Sequence, residues 1–302
     1  MTQRTIVITG ASDGIGAAAA RRLRRSGENV VVVGRSESKT AAVAAELNAD
    51  YFVADFADLS QVRALADKIR SEYSRVDVLA NNAGGMFTKV HQTADGHEIT
   101  FQVNYLAPFL LTTQLMDMLV DSRATVVNTT SNSQKLLPRV TVTDLENTAQ
   151  RRPGTAYALT KLAMILFTKE LHRRYHAAGL SAATFHPGYV DSNFGEASGS
   201  RILTFMKYHV PITARFTVTA DEGADQMVWL ASSTPGVDWT SGEYYSKGRI
   251  AKANRAAYDP DLARGCGIAP RPSWLSAASQ QDSRMARSPQ TGFVAPQHRD
   301  LY

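Results

Sequence analysis

Apolar residues fall along this chain in short β-branched runs separated by longer stretches with helical spacing. Thr5 to Thr9 reads Thr-Ile-Val-Ile-Thr, and Asn29 to Val33 reads Asn-Val-Val-Val-Val before Gly34 stops it. Neither run alternates with polar residues, so both predict strands covered on two faces. Ala49 to Ala54, Val76 to Ala80, Ala124 to Thr130 and Ser181 to Phe185 repeat the strand signal. Between them, the segment up to Ser26, Ala41 to Leu47, Leu59 to Tyr73, Glu98 to Leu119 and Tyr157 to His176 have helical character. Strands alternating with helices predict parallel βαβ units, hence an α/β doubly wound sheet. The alternation runs to about Ser246 and leaves no room for a second domain.

A helical pattern starts again at Asp259 to Arg264 and then stops. The last 38 residues, from Gly265, hold four of the 11 prolines and show no sustained periodicity. They read as an irregular or disordered tail beyond a domain spanning residues 1–264. For one permitted choice of codons, the frame overlapping Gly265 to Trp274 spells an amphipathic helix. The tail is therefore a candidate for a frameshifted end.

Composition narrows the classes. The chain has 302 residues, 44% of them hydrophobic, enough to bury a sizeable core without a staple. Its single cysteine, Cys266, excludes an internal disulfide framework and a cysteine-based zinc cluster. No run approaches the ~18 apolar residues of a membrane span. Met1 to Thr5 leads straight into a strand, leaving no room for a signal peptide. The expectation is a soluble, cytoplasmic protein with no membrane span. Of the net charge of +5, the tail supplies +2 through Arg271, Arg284, Arg287 and Arg299 against Asp282 and Asp300. The densest basic cluster, Arg21, Arg22, Arg24 and Arg25, predicts a solvated helix face rather than a nucleic-acid surface. His172 and His176 share helical spacing, but no Glu follows His172 and Lys169, Arg173 and Arg174 would repel a cation. No metal is expected.

Two motifs carry chemistry. Gly10-Ala-Ser12-Asp13-Gly14-Ile15-Gly16 follows the first strand and opens a helix. Glycines there allow a tight turn and let the helix N-terminus approach a pyrophosphate, whose charge its free N–H groups stabilise. The same residues spell Gly-x-Ser-x-Gly, a nucleophile elbow, but that motif belongs after several strands. In Tyr157-Ala-Leu-Thr-Lys161 four residues make about one helical turn, so phenol and ammonium share a face. An ammonium beside a phenol favours the phenolate and would lower its pKa, making Tyr157 a proton donor or acceptor near neutral pH.

Together with Asn81-Asn82-Ala83-Gly84, Asn104, Ser131 and Pro187-Gly188, in that order, these motifs resemble the short-chain dehydrogenase/reductase family over residues 5–250. The resemblance implies one Rossmann-type domain with a mostly seven-stranded parallel sheet and helices on both faces. It makes Tyr157 the catalytic acid/base and Lys161 its partner and ribose ligand. Ser131, with Ser133 as the alternative, would bond the substrate oxygen, and Asn104 would hold the water of a proton relay. The separation of 26 residues between Ser131 and Tyr157 is about twice that of most members. With Phe101-Gln-Val-Asn104-Tyr it resembles the branch of retinol dehydrogenases, WW-domain oxidoreductase and protochlorophyllide reductase. The extra stretch, Gln134 to Thr155, would be a loop at the rim of the site.

Cofactor and substrate follow from the same reading. An acid ending the second strand would repel a 2′-phosphate, whereas Gly34, Arg35 and Ser36 stand there, and a guanidinium suits a phosphate. NADP(H) is expected over NAD(H), with Asp13 the opposing feature. Asp55 and Phe56 resemble the adenine-binding pair. Asn82, Ala83 and Gly84 line the cofactor side. Pro187, Gly188, Val190 and Ser192 resemble the segment along the carboxamide. Residues 195–217 would form an apolar substrate lid, favouring a hydrophobic carbonyl or alcohol as partner. The expected activity is hydride transfer between nicotinamide and a carbonyl or alcohol carbon. A C=C reductase and a catalytically silent dinucleotide sensor are the alternatives. By analogy with the family, a homodimer or homotetramer would pack through the Tyr157 helix.

Overall fold

The computed structural model describes residues 3–87, 91–190 and 217–265. Ser192, most of the expected lid and the tail from Cys266 lie outside the described residues. The strands are β1 (Thr5–Thr9), β2 (Asn29–Gly34), β3 (Asp50–Val53), β4 (Val78–Asn81), β5 (Thr125–Thr129) and β6 (Ser181–Phe185). A short pair, β7 (Tyr189–Val190) and β8 (Thr217–Val218), stands apart, and β9 (Tyr244–Ser246) and β10 (Arg249–Ile250) complete the set. The main sheet runs β10-β9-β6-β5-β4-β1-β2-β3. The seven strands from β9 to β3 are parallel and match the expected doubly wound sheet, and β10 adds an antiparallel edge through a hairpin with β9.

The central strands are apolar throughout because both faces are covered. Ile6, Val7, Ile8, Val30, Val31 and Val32 are fully buried, each such side chain stabilising by roughly 1.5–3 kcal/mol. One face packs on α1 (Gly14–Arg25) and α9 (Ala220–Ser232), the other on α3 (Leu59–Glu72), α5 (Ala107–Gln114) and α8 (Pro153–Tyr175). The helix α2 (Glu37–Leu47) links β2 to β3. The arginines after the glycine loop do more than face solvent. Arg21 pairs with Glu46 of α2 at 2.8 Å, and Arg22 with Asp225 of α9 at 2.6 Å. His172 and His176 likewise have local partners, Ser241 Oγ at 3.0 Å and the Leu180 carbonyl at 3.2 Å.

Two segments depart from the expected pattern. The stretch expected as one helix over Glu98 to Leu119 is helical, but as α4 (Ile99–Phe101), a π-helical turn (Gln102–Leu106) and α5 in continuous succession, then α6 (Met116–Asp121). The stretch expected as a rim loop is largely helical. It holds 3₁₀ turns at Asn132–Leu136 and Thr148–Gln150 around α7 (Val142–Glu146), which Thr141 and Asp144 cap reciprocally. Asn254 pins its start. The Asn254 N–H donates to Gln134 Oε1 at 2.7 Å, and Asn254 Nδ2 donates to the carbonyls of Gln134 and Leu137. This insert, the 3₁₀ turn Arg255–Tyr258 and α10 (Pro260–Gly265) pack along α8. They leave α8 residues from Ala156 to Leu171 mostly buried inside the chain itself.

Candidate active site

The parallel strands end together, and their C-terminal edge gathers the predicted residues, as an open α/β sheet does at its crevice. Thr9 ends β1, and its Oγ1 accepts the N–H groups of Asn82 and Ala83, both at 3.0 Å. Asn82 Nδ2 donates back to the carbonyls of Thr9 and Gly10. These bonds bring the glycine loop against the segment after β4. Gly10 has φ +65°, and a Cβ on it would lie 2.8 Å from Ala83 Cα. On Gly16, a Cβ would lie 2.4 Å from the Gly10 carbonyl. Only a bare backbone packs there.

Asp13 caps α1, its Oδ1 accepting from the Gly14 N–H at 2.8 Å. Its other oxygen faces Lys39 Nζ at 3.4 Å. The acid that seemed to oppose a phosphate is therefore paired with a cation that no motif marks. A Cβ on Gly34 would lie 2.3 Å from Thr40 Oγ1 and 2.8 Å from Ser12, so a longer residue does not fit there unchanged. Arg35 is exposed beside it and Ser36 is half-buried. Asp55 folds its carboxylate onto the Ala57 N–H at 2.9 Å. The Phe56 ring is buried in the core. Gly188, at φ +95°, lies against Val218, holding the turn after β6 beside β8.

Four groups converge where β4, β5 and α8 meet. Ser131 lies two residues past β5, at the start of the 3₁₀ turn, and its hydroxyl bonds the Tyr157 phenol. Its Oγ also accepts the Ser133 N–H at 3.2 Å, whereas Ser133 Oγ is buried without a partner. Ser131, then, is the serine at the phenol. One turn along α8, Lys161 Nζ donates to the Thr129 carbonyl at 3.2 Å and sits 5.5 Å from the Tyr157 ring centre. Thr130 Oγ1 donates to the Lys161 carbonyl at 2.6 Å, clamping that turn to β5. Asn104 lies in the π-helical turn. Its Nδ2 donates to the carbonyls of Gly85 and Thr100, and its Oδ1 accepts the Gly85 N–H. Both amide hydrogens are thereby used, so a water held at this residue would rest on an oxygen.

The electrostatics differ from the sequence expectation in one respect. Burial pushes the Tyr157 phenol above its ordinary pKa, and the Ser131 hydrogen bond only partly opposes that. The expected lowering by Lys161 does not prevail. Instead burial lowers Lys161 itself to about 8. The charged form of each group is the one that burial penalises. A protonated phenol beside a weakly held ammonium proton is the state of a proton donor with a reserve.

Behind the site, Asn81 Nδ2 donates to Thr112 Oγ1 and Asn128 Oδ1, and Asn128 Nδ2 donates to Thr168 Oγ1. This buried row ties α5, β4, β5 and α8 at fixed spacing.

The short chain dehydrogenase profile matches residues 4–202. The chain belongs to the short-chain dehydrogenase family. A Streptomyces sp. (strain C5) protein that carries the name daunorubicin C-13 ketoreductase is 38% identical, over 86% of this chain and 88% of its own. Retinol dehydrogenase 13 of Homo sapiens is 33% identical, over 86% and 81%. Among solved structures, an uncharacterized protein from Mycobacterium paratuberculosis superposes with a TM-score of 0.68 at 32% identity, covering 94% of both chains. This short-chain dehydrogenase is an oxidoreductase of the carbonyl/alcohol type, in a family that uses nicotinamide cofactors. Among the described residues, no helix is long and apolar enough to cross a membrane.

Proposed function

We propose that the chain is an NADP(H)-dependent reductase of a hydrophobic carbonyl compound, working equally on the reverse alcohol. The observation that carries the reading is the meeting of Ser131, Tyr157, Lys161 and Asn104 at one corner of the sheet. Residues 1–264 form the catalytic domain. Gly10, Ser12, Asp13, Gly14, Ile15 and Gly16 cradle the pyrophosphate, with the bare Gly10 and Gly16 backbones leaving the approach open. Arg35, Ser36 and Lys39 surround the position of a 2′-phosphate, and Gly34 leaves no acid to repel it. Asp55 and the Phe56 backbone border the adenine. Asn82, Ala83, Gly84, Pro187, Gly188 and Val190 border the nicotinamide.

The dinucleotide, when bound, supplies the hydride; the chain supplies orientation and the proton. Ser131 and Tyr157 present two hydroxyls to one substrate oxygen. Tyr157, held protonated by burial, gives up its proton as negative charge develops on that oxygen. Lys161 stabilises the phenolate left behind and restores its proton. Asn104 fixes the Gly84–Gly85 backbone against Lys161.

NADPH oxidation over a panel of apolar ketones and aldehydes tests the reading. Turnover by the native chain and its loss in Tyr157→Phe, with NADPH binding retained, is the expected result. Equal inactivity of both while NADPH binds would make the chain a dinucleotide sensor.

A further inference from the structure

His186 closes β6 just before Pro187-Gly188, and the proposed chemistry leaves it without a task. Its place is set by strand register. Asn128 pairs with Thr184 and Thr129 with Phe185, so the next step puts Thr130 beside His186. Neighbours in register on parallel strands share a face. Asn128 bonds Thr168 and Thr130 bonds the Lys161 carbonyl, so that face is the one covered by α8. His186 therefore lies on the catalytic side of the sheet, roughly 6 Å from Ser131 between Cα atoms by strand spacing and rise.

Its backbone is fully engaged. The His186 N–H donates to the Tyr245 carbonyl at 3.0 Å, and its carbonyl accepts from Gln226 Nε2 at 2.7 Å. The ring meets Tyr189 edge-on at 6.3 Å. The side chain is only 7% exposed, and Nδ1 is buried with no hydrogen-bond partner. A buried polar atom left unpaired is costly and uncommon in a folded chain, and a hydrogen-bonding group on the substrate would satisfy it. Burial and the nearby Lys135 charge lower the His186 pKa to about 4. At neutral pH the ring is thus uncharged and can donate or accept at Nδ1 according to its tautomer.

We propose that His186 is a specificity-determining residue that bonds a second oxygen of the substrate, one or two carbons from the reacting carbonyl. The preferred substrates are then α-hydroxyketones or 1,3-dicarbonyl compounds rather than simple ketones. This deepens the carbonyl reduction proposed above and rests on it. Apolar specificity alone would leave Nδ1 unpaired, and a site built around such an atom disfavours the analogue lacking the matching group.

Two substrate pairs test it: α-hydroxyacetophenone against acetophenone, and benzoylacetone against butyrophenone. The native enzyme should favour the oxygenated member of at least one pair by about tenfold or more in kcat/KM. His186→Leu should bring that ratio near one while leaving the simple ketone's rate within threefold, and His186→Asn should restore part of it. The same ratio is read as binding of each ketone to the enzyme–NADPH complex. No preference in either pair, or a preference that survives in both variants, overturns the proposal. A change confined to NADPH affinity also overturns it, assigning His186 to the cofactor. If no ketone is turned over, the reductase reading fails, and the binding ratio still decides the role of His186.

Discussion

Asn104 and Lys161 meet across Gly84. A methyl group on that glycine would lie 2.6 Å from Asn104 Oδ1 and 3.4 Å from Lys161 Nζ. The backbone of one small residue thus separates the amide that braces the site from the ammonium that serves it. Neither neighbour gives way easily, because Asn104 is bonded to Gly85 and Thr100 and Lys161 to Thr129. Gly84→Ala is expected to cost about 1–3 kcal/mol of stability and at least 100-fold in kcat/KM. Thermal melting and steady-state kinetics on the same preparation check both, and a variant with native kinetics would refute the crossing as a working part.

Lys161 sets a pH dependence of stability. Its folded pKa of about 8 lies below its ordinary value, so above pH 8 the unfolded chain binds more protons at this site than the folded one. Stability from this group therefore rises with pH between about 8 and 10. Below pH 8 the full cost of burying the ammonium is present, on the order of 3 kcal/mol. Lys161→Met should remove the rise, which urea unfolding at a series of pH values would show. Parallel curves for the two proteins would contradict it.

Arg35 and Lys39 should read the 2′-phosphate. Arg35→Ala and Lys39→Ala are expected to raise KM for NADPH at least tenfold while changing that for NADH little. Added salt should weaken NADPH binding more than NADH binding, because these side chains are exposed. Equal effects on both cofactors would sink the assignment.

Asn254 holds the insert from 120 residues away. Asn254→Ala removes the two Nδ2 bonds to the insert, keeps the backbone N–H bond to Gln134, and should cost roughly 1–3 kcal/mol. Because the insert begins directly after Ser131, kcat should fall while NADPH affinity stays native. Differential scanning calorimetry and a cofactor titration separate the two effects.

Where the physics is local, the chain could be read directly. The run Asn-Val-Val-Val-Val needs two covered faces wherever it lies, and β2 has them. The glycine loop and the Tyr157–Lys161 turn are also local patterns, each legible from its own spacing. What was hidden depends on distance along the chain. The insert looked like a loop because its helices are short and lean on α8 and Asn254, which no periodicity connects. The π-helical turn at Asn104 widens a helix that continues on both sides of it, and apolar spacing alone does not mark such a turn. Lys39 lies on an exposed helix face, and only the fold carries it to Asp13. The sense of the Tyr157 shift failed for another reason. Spacing supplies the neighbouring charge but not the degree of burial, and burial prevails.

The covering of α8 has a kinetic consequence. Among the described residues, the insert, the 3₁₀ turn Arg255–Tyr258 and α10 brace the helix that carries Tyr157 and Lys161 from within the same polypeptide. Catalysis should then be a first-order property of the chain. Rate per mole of enzyme is expected to stay constant on dilution from micromolar to picomolar concentrations, with no lag as the sample is diluted into the assay.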